Sequence, residues 1–294
     1  MADSAGQADI RGINIEKAIK GFADEEFVLK KYCEQSPTSA REIRWFQKTA
    51  GILSGTTTTG ITSNAIYNVA ERALPTVVRP SWTRNTSYVK KFFVESGTIS
   101  VEDIKDTDVD ILATSIRDLV RAVASAVDTR IYNVLTESLS PSAILTTASV
   151  QDGWDDDATG DPITDLLIAK QKIRAQSYDP EGAILYINPV EYKNLMRYII
   201  TIKGSSVPMV SSNMLEKGVA MELLNLKVVV SQNATTDYAL VFVPKRACTW
   251  KSFANMTHAV IDEPGIGKKI RVWEEGEALL TDPKAVHLTT DTVT

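Results

Sequence analysis

Two cysteines, two histidines and no long apolar run in 294 residues leave several classes of protein without their parts. Cys33 and Cys248 are too few for a disulfide framework, which points to a reducing compartment. Neither has a flanking histidine or basic pair that would lower a thiol pKa. His258 and His287 both fall in predicted strands. No HExxH, CxxC or GxSxG occurs, so zinc hydrolysis and Ser-His-Asp catalysis lack their motifs. Clean apolar runs such as Ala239–Val243 are far below the roughly 18–20 residues that span a bilayer. The polar start MADSAGQADIRG does not read as a signal peptide. The expectation is a soluble intracellular product, not an enzyme, with no cofactor, no metal and no membrane partner.

Two partial motifs fail on inspection. Gly265-Ile266-Gly267-Lys268-Lys269 has Asp262 where a phosphate loop needs its first glycine, and Lys269 where it needs Ser or Thr. A strand follows rather than a helix, so a phosphate would have no helix N-terminus to sit on; the segment reads as a hairpin turn. Asp155, Asp157, Thr159 and Gly160 match the opening of a calcium loop. The twelfth position, which must be a bidentate Glu, is Leu166. A solvated acidic loop is the reading that remains.

What the chain does have is ordinary bulk and one unusual helix. Apolar content of 44% and charged content of 23% suit a soluble globular protein, and the length suits about two domains. The formal net charge of −5 argues against a surface built throughout for nucleic acid or anionic lipid. From Val101 to Leu139, apolar side chains recur at Val109, Leu112, Ile116, Leu119, Val123, Val127, Ile131 and Val134. Steps of three and four make one stripe, and no Gly or Pro interrupts before Pro141. Asp106, Thr107 and Asp108 are candidate caps. The spacing predicts a helix over 108–139, roughly 30 residues and about 45 Å long.

Before it, short amphipathic helices are expected over Asn14–Glu34, after Pro37 (Ile43, Trp45, Phe46) and around Ser63–Leu74, with the loop Gly55–Gly60 between. They resemble an arm that packs on something else. Thr76–Val78 and Tyr88–Val94 are β-prone, with a turn suggested by Pro80 and Asn85, so a hairpin is expected over 76–100. Neither face of it is cleanly apolar, which suits an edge hairpin of the main sheet or an extended loop with its partner on another subunit. After it, Asp161-Pro162 opens a helix with Ile163, Leu166, Leu167, Lys170 and Ile173 on its stripe. Strand Ala183–Ile187 is followed by Asn188-Pro189 and a helix. Strands then follow at Leu226–Ser231, Tyr238–Val243, Thr257–Asp262, Lys269–Glu274 and Ala285–Thr289. The order fits an α+β fold.

Several of these segments carry a resemblance by their order and spacing. They are the hairpin Thr76–Ser100, the helix end Asp128-Thr129-Arg130-Ile131-Tyr132-Asn133-Val134, and the unit Ala183–Ile187 with Asn188-Pro189. Leu223–Ser231, Arg271-Val272-Trp273-Glu274 and Ala285-Val286-His287-Leu288 complete the set. Over roughly 75–290 the chain resembles the major capsid proteins of tailed bacteriophages and related archaeal viruses (the Hong Kong phage-type capsid fold), a fold shared with encapsulin shells. The resemblance implies an N-terminal helical arm at 1–75 and an extended loop at 76–100. It implies a peripheral domain at 101–177 and 245–294 with the spine helix 108–139, and an axial domain at 178–244. It also implies a structural subunit that self-assembles, through pentamers and hexamers, into an icosahedral shell. That shell would be assembled in the host cytoplasm and enclose a double-stranded DNA genome without sequence-specific contacts. Scaffolding, portal or decoration proteins are further implied partners. Some members of the family cross-link a loop lysine to a neighbour's asparagine; Lys90 and Lys91 lie in the right element, but no matching acceptor motif is present. An encapsulin-like compartment is the near alternative, and an α+β enzyme with an unrecognised site the remote one.

A charge asymmetry adds a candidate contact. From Arg72 through Phe93 every charge is basic, and from Gln151 through Asp165 every charge is acidic. Arg79, Arg84, Lys90 and Lys91 of one subunit are therefore expected to meet Asp155, Asp156 and Asp157 of its neighbour. Complementary charge of this kind sets register and encounter rate more than affinity.

Overall fold

The computed structural model describes residues 28–50, 71, 81–106, 111–136, 147–202 and 222–293. In chain order, a 3-10 turn at Lys30–Tyr32 leads to β1 (Glu34–Pro37), β2 (Glu42–Ala50), β3 (Ser81–Tyr88), β4 (Lys90–Glu95) and β5 (Ile99–Ser100). Helices α1 (Val101–Asp106) and α2 (Ile111–Leu135) follow, then β6 (Thr147–Ser149), α3 (Pro162–Ala175), β7 (Ile184–Ile187) and α4 (Pro189–Arg197). The chain ends through β8 (Glu222–Leu223), β9 (Leu226–Val230), β10 (Tyr238–Phe242), β11 (Cys248–Glu263), β12 (Gly267–Leu280) and β13 (Val286–Thr290). Helices and strands are mixed without regular βα alternation, an α+β fold.

Contacts divide the chain into two compact units. The described residues of the first lie within Met1–Ile43, Ser87–Ile131 and Trp250–Ala278, and those of the second within Arg44–Thr86, Tyr132–Thr249 and Leu279–Thr294. The first is built on a sheet in the order β1-β11-β12-β4, with β5 also on β12. The long β11–β12 hairpin turns at Gly265, whose φ of 77° suits a residue without Cβ. At Gly276 a Cβ would lie 2.3 Å from the Trp250 ring, so only glycine lets the fully buried indole rest on the strand. Helix α2 buries Ile116, Val120, Val123, Val127 and Ile131, the stripe its 3.6 period demands. It occupies 111–135 of the expected 108–139; 107–110 and 137–146 lie outside the described residues.

The second unit carries a six-stranded sheet, β6-β13-β10-β7-β9-β8. Its central strand β7 is buried at every position and runs parallel to β9 and antiparallel to β10. Leu185, Ile187, Ala239 and Val241 form a core with Leu166, Ala169 and Ile173 of α3 and Leu195 of α4. Both helices start as the local sequence specifies. Asp161 accepts from the Thr164 N–H at 3.2 Å and Asn188 from the Val190 N–H at 3.1 Å, each followed by proline.

Three expectations are corrected. The segment after Pro37 is a strand, β2, not a helix. Its pattern has period two, with Ile43 and Gln47 buried and Trp45 half-buried on one side, and Glu42, Arg44 and Phe46 exposed on the other. The polar Gln47 at an inward position disguised it. Within the expected hairpin 76–100 the described strands do not pair with each other: β3 pairs with β2, and β4 with β12 from Arg271 opposite Glu95 to Gly276 opposite Lys90. Tyr88-Val89-Lys90 has no turn chemistry, and Asn85 sits within β3 rather than in a turn. The closing strand β13 pairs antiparallel with β10. On α3, Leu167 is about half exposed and Ala169 takes the inward position. Within the expected first helix, the described part is the 3-10 turn and the start of β1. The helix at Ser63–Leu74, the loop Gly55–Gly60 and strand Thr76–Val78 lie outside the described residues, Glu71 apart.

Candidate interaction surfaces

The ribbon β2–β3 is a sheet of its own two strands. Isolated two-stranded ribbons are marginal in water, so its root matters. Gln47 Nε2 donates to the Leu280 carbonyl at 3.1 Å, and Asn85 Nδ2 donates to Gln47 Oε1 at 3.3 Å, tying both strands to the end of β12. Phe46 is 59% exposed, a large ring on the outward side of the ribbon.

The candidate charges fall on three different elements. Arg84 is exposed on β3. Lys90 and Lys91 are exposed on β4, the edge strand of the first unit's sheet. Lys91 Nζ lies 4.9 Å from the Phe93 ring centre and 3.9 Å from Glu275. Arg79 lies outside the described residues. On the acidic side, Asp155 is half-buried and Asp156 and Asp157 are exposed. Part of their charge is already used: Asp157 pairs with Arg197 at 2.7 Å. Asp156 accepts from the Ala158 N–H and the Thr159 hydroxyl, which holds its carboxyl below the usual range. Gly160 closes this loop against the carbonyls of Gly153 and Asp156, where a Cβ would clash at 2.4 and 2.7 Å. Its glycine is thus required by a tight loop.

Sequence reasoning missed a set of buried charges in the first unit. Glu274 and Glu277 on β12 are 0% and 1% exposed. Lys30 donates to Glu274, and Arg130 of α2 to Glu277, its Nε at 3.0 Å. Glu275 faces Arg41 at 3.2 Å. Burial raises the carboxyls of Glu274 and Glu277, opposed by their cations. Asp128, at 2% exposure on α2, accepts from the Leu29 N–H at 3.2 Å, and burial pushes its carboxyl up to about 7. The run Glu-Glu-Gly-Glu reads as a solvated strand, and nothing local signals otherwise.

The two histidines divide. His258 is half-buried on β11. His287 is fully buried on β13 opposite Val241, and neither ring nitrogen has a hydrogen-bond partner among the described residues. Burial, with Lys172 adding to it, pushes the imidazole down to about 4. It is therefore a neutral core residue. Among the described residues no helix is long and apolar enough to cross a membrane.

Comparison with known proteins bears on the family and the fold. The family model described as phage capsid protein matches residues 88–286. A search of curated proteins finds no match. Among solved structures, the virus-like particle from Pyrococcus furiosus is 13% identical, covering 93% of this chain and 96% of its own, with a TM-score of 0.62. The capsid of cyanophage P-SCSP1u is 11% identical, covering 90% and 88%, with a TM-score of 0.67. Mycobacterium phage Ogopogo is 17% identical, covering 90% and 91%, with a TM-score of 0.63.

Proposed function

The chain belongs to the phage capsid protein family, and from that membership we propose how its parts divide the work of a shell. It is a structural subunit that self-assembles into a viral shell and so a component of the virion. In our reading the copies close as pentamers and hexamers around double-stranded DNA, which they enclose without base-specific contacts. Assembly runs in the host cytoplasm, with scaffolding, portal or decoration proteins as partners. We keep the division into an arm at 1–75, an extended loop at 76–100, and peripheral and axial parts, with β3 of the loop paired to β2 of the arm as the reaching ribbon. Shells of this kind work by geometry, because many modest heterologous contacts act together once they close.

The observation that carries this reading is the ribbon. A two-strand sheet with Phe46 exposed on its outward side and its root tied to the end of β12 gains cover for that side from a neighbouring copy. Arg84 on the ribbon and Lys90 and Lys91 on β4 then approach the neighbour's acidic loop at Asp155, Asp156 and Asp157, with Arg79 completing the basic set. Single exposed pairs are worth about 0–1 kcal/mol, so the test uses sets. Reversing Arg84, Lys90 and Lys91 to Glu slows assembly followed by light scattering, and added salt rescues it. Reversing Asp155, Asp156 and Asp157 to Lys in the same chain restores part of the rate. The rescue is partial because Asp157 also serves Arg197 within the subunit. Wild-type assembly rates in the triple reversal at low salt refute the contact, and a monodisperse monomer at tens of micromolar refutes the shell.

A further inference from the structure

Helix α4 turns polar side chains into the interior of the second unit. Glu191 and Asn194, three residues apart and so neighbours on the helix, are 0% and 1% exposed. Glu191 Oε1 accepts from the Asp237 N–H at 2.6 Å. Asp237 in turn holds the end of the chain. Its carbonyl accepts from the Thr292 N–H at 3.3 Å and its Oδ1 from the Val293 N–H at 2.9 Å. Beyond Asn194, Arg197 Nη2 donates to the Asp155 carbonyl at 2.6 Å. The residue before Asp155, Trp154, donates its N–H to the Thr292 carbonyl at 2.8 Å. Glu191, Asn194 and Arg197 therefore run beside Asp237, Thr292 and Trp154, with the fully buried Thr292 held between the two ties. Along this seam Glu191 Oε2, Asn194 Oδ1 and Nδ2, Arg197 Nε and Thr292 Oγ1 are buried without a hydrogen-bond partner among the described residues. Each polar atom left dry in this way would weaken folding by about fivefold or more.

We propose that this seam is an internal water site, in which ordered waters bridge Glu191, Asn194, Arg197 and Thr292 and so fasten the last residues of the chain to α4. The mixture of unpaired atoms selects the ligand. Asn194 Nδ2 and Arg197 Nε only donate, a carboxylate oxygen such as Glu191 Oε2 only accepts, and the Thr292 hydroxyl does both. Water answers each kind, and a buried water makes about three hydrogen bonds. A cation would satisfy the oxygens and leave the N–H groups unpaired. Among the described residues, moreover, no group of three or more His, Cys, Asp or Glu side chains could hold a metal ion. The Arg197 charge is already answered by Asp157 at 2.7 Å, so its Nε is what remains for the interior. Every contact in the seam lies within one copy and within the second unit, so the site is present whether or not copies assemble.

The first test is a density map of the full chain at a resolution that shows ordered solvent. Water peaks within hydrogen-bond distance of Glu191 Oε2, Asn194 and Thr292 Oγ1 are the expected result. Direct pairing of these side chains with one another, or a peak at the metal–oxygen distance of about 2.0–2.6 Å, overturns the proposal. The second test reads a sign. Thr292→Val keeps the shape of the side chain and removes the hydroxyl, and Asn194→Leu replaces the amide by an apolar group of similar size. In a dry seam each change removes a buried unpaired group, and the unfolding constant falls. In a wet seam each change takes a partner from the waters that serve Glu191, and the unfolding constant rises, by about fivefold for Thr292→Val and about tenfold for Asn194→Leu. Urea unfolding of the full chain at matched protein concentration measures it. Variants at least as stable as the wild type overturn the proposal, and Thr292→Val carries the sign alone if Asn194→Leu does not fold. Faster hydrogen exchange at the Thr292 and Val293 amides in Thr292→Val is expected, and unchanged exchange there overturns the role in fastening the tail.

Discussion

Arg130→Met removes the cation against which Glu277 is buried. The two side chains are 16% and 1% exposed, so the carboxylate left behind has no access to water in the folded unit. Breaking a buried pair by removing one partner costs about 3–5 kcal/mol. The carboxyl, however, escapes by binding a proton, and that sets a ceiling. Protonating a group of ordinary pKa 4.5 costs about 1.36 kcal/mol for each pH unit above that value. The ceiling is therefore about 3.4 kcal/mol at pH 7 and about 0.7 kcal/mol at pH 5. The wild type already bears part of this cost, because burial holds Glu277 above its usual range even with Arg130 present. The expected loss is about 2–3 kcal/mol at pH 7, shrinking below about 1 kcal/mol at pH 5. Urea unfolding followed by tryptophan fluorescence measures it, at matched protein concentration and assembly state, since association shifts apparent stability. The double variant Arg130→Met with Glu277→Gln recovers most of the loss at pH 7. A loss that is the same at pH 5 and pH 7, or absent at pH 7, refutes the reasoning.

Asp161→Ala removes the cap of α3 and the acceptor of the Tyr198 hydroxyl at 2.7 Å. It is expected to cost about 2 kcal/mol in the same unfolding assay, with Asp161→Asn recovering about half. Gly276→Ala forces the Trp250 ring off the strand and is expected to cost about 1–3 kcal/mol, with a shift in the tryptophan emission of the folded protein. His287, held neutral at about 4 against an ordinary 6.5, contributes stability that is full above about pH 6.5 and lost as pH falls through 4. That loss amounts to about 3 kcal/mol. His287→Leu is expected to flatten the acid limb of a stability–pH curve between pH 6.5 and 4, and an unchanged limb counts against a neutral buried imidazole.

The chain's sequence determined everything that depends on neighbours a few residues away. Asp161-Pro162 and Asn188-Pro189 place the starts of α3 and α4 because capping is a bond within one turn. The stripe from Ile116 to Ile131 makes a helix with one buried face. Gly265 marks the turn between β11 and β12 because the positive φ there favours a residue without Cβ. The order of these parts was enough to carry the resemblance to the capsid proteins.

Tertiary structure decided which strands pair and which charges are buried. Alternation tells a strand which side faces inward but not whose edge it joins, so most of β3 was read as the turn of a hairpin and its partner β2, more than thirty residues upstream, as a helix. The same holds for β13, whose apolar pattern suits any sheet and whose register with β10 fixes its place. For Glu274, Glu277 and Asp128 the reason is energetic. A carboxylate is normally solvated because burying it alone is too costly. Lys30 and Arg130, 244 and 147 residues from Glu274 and Glu277, reverse that only when the fold brings them together.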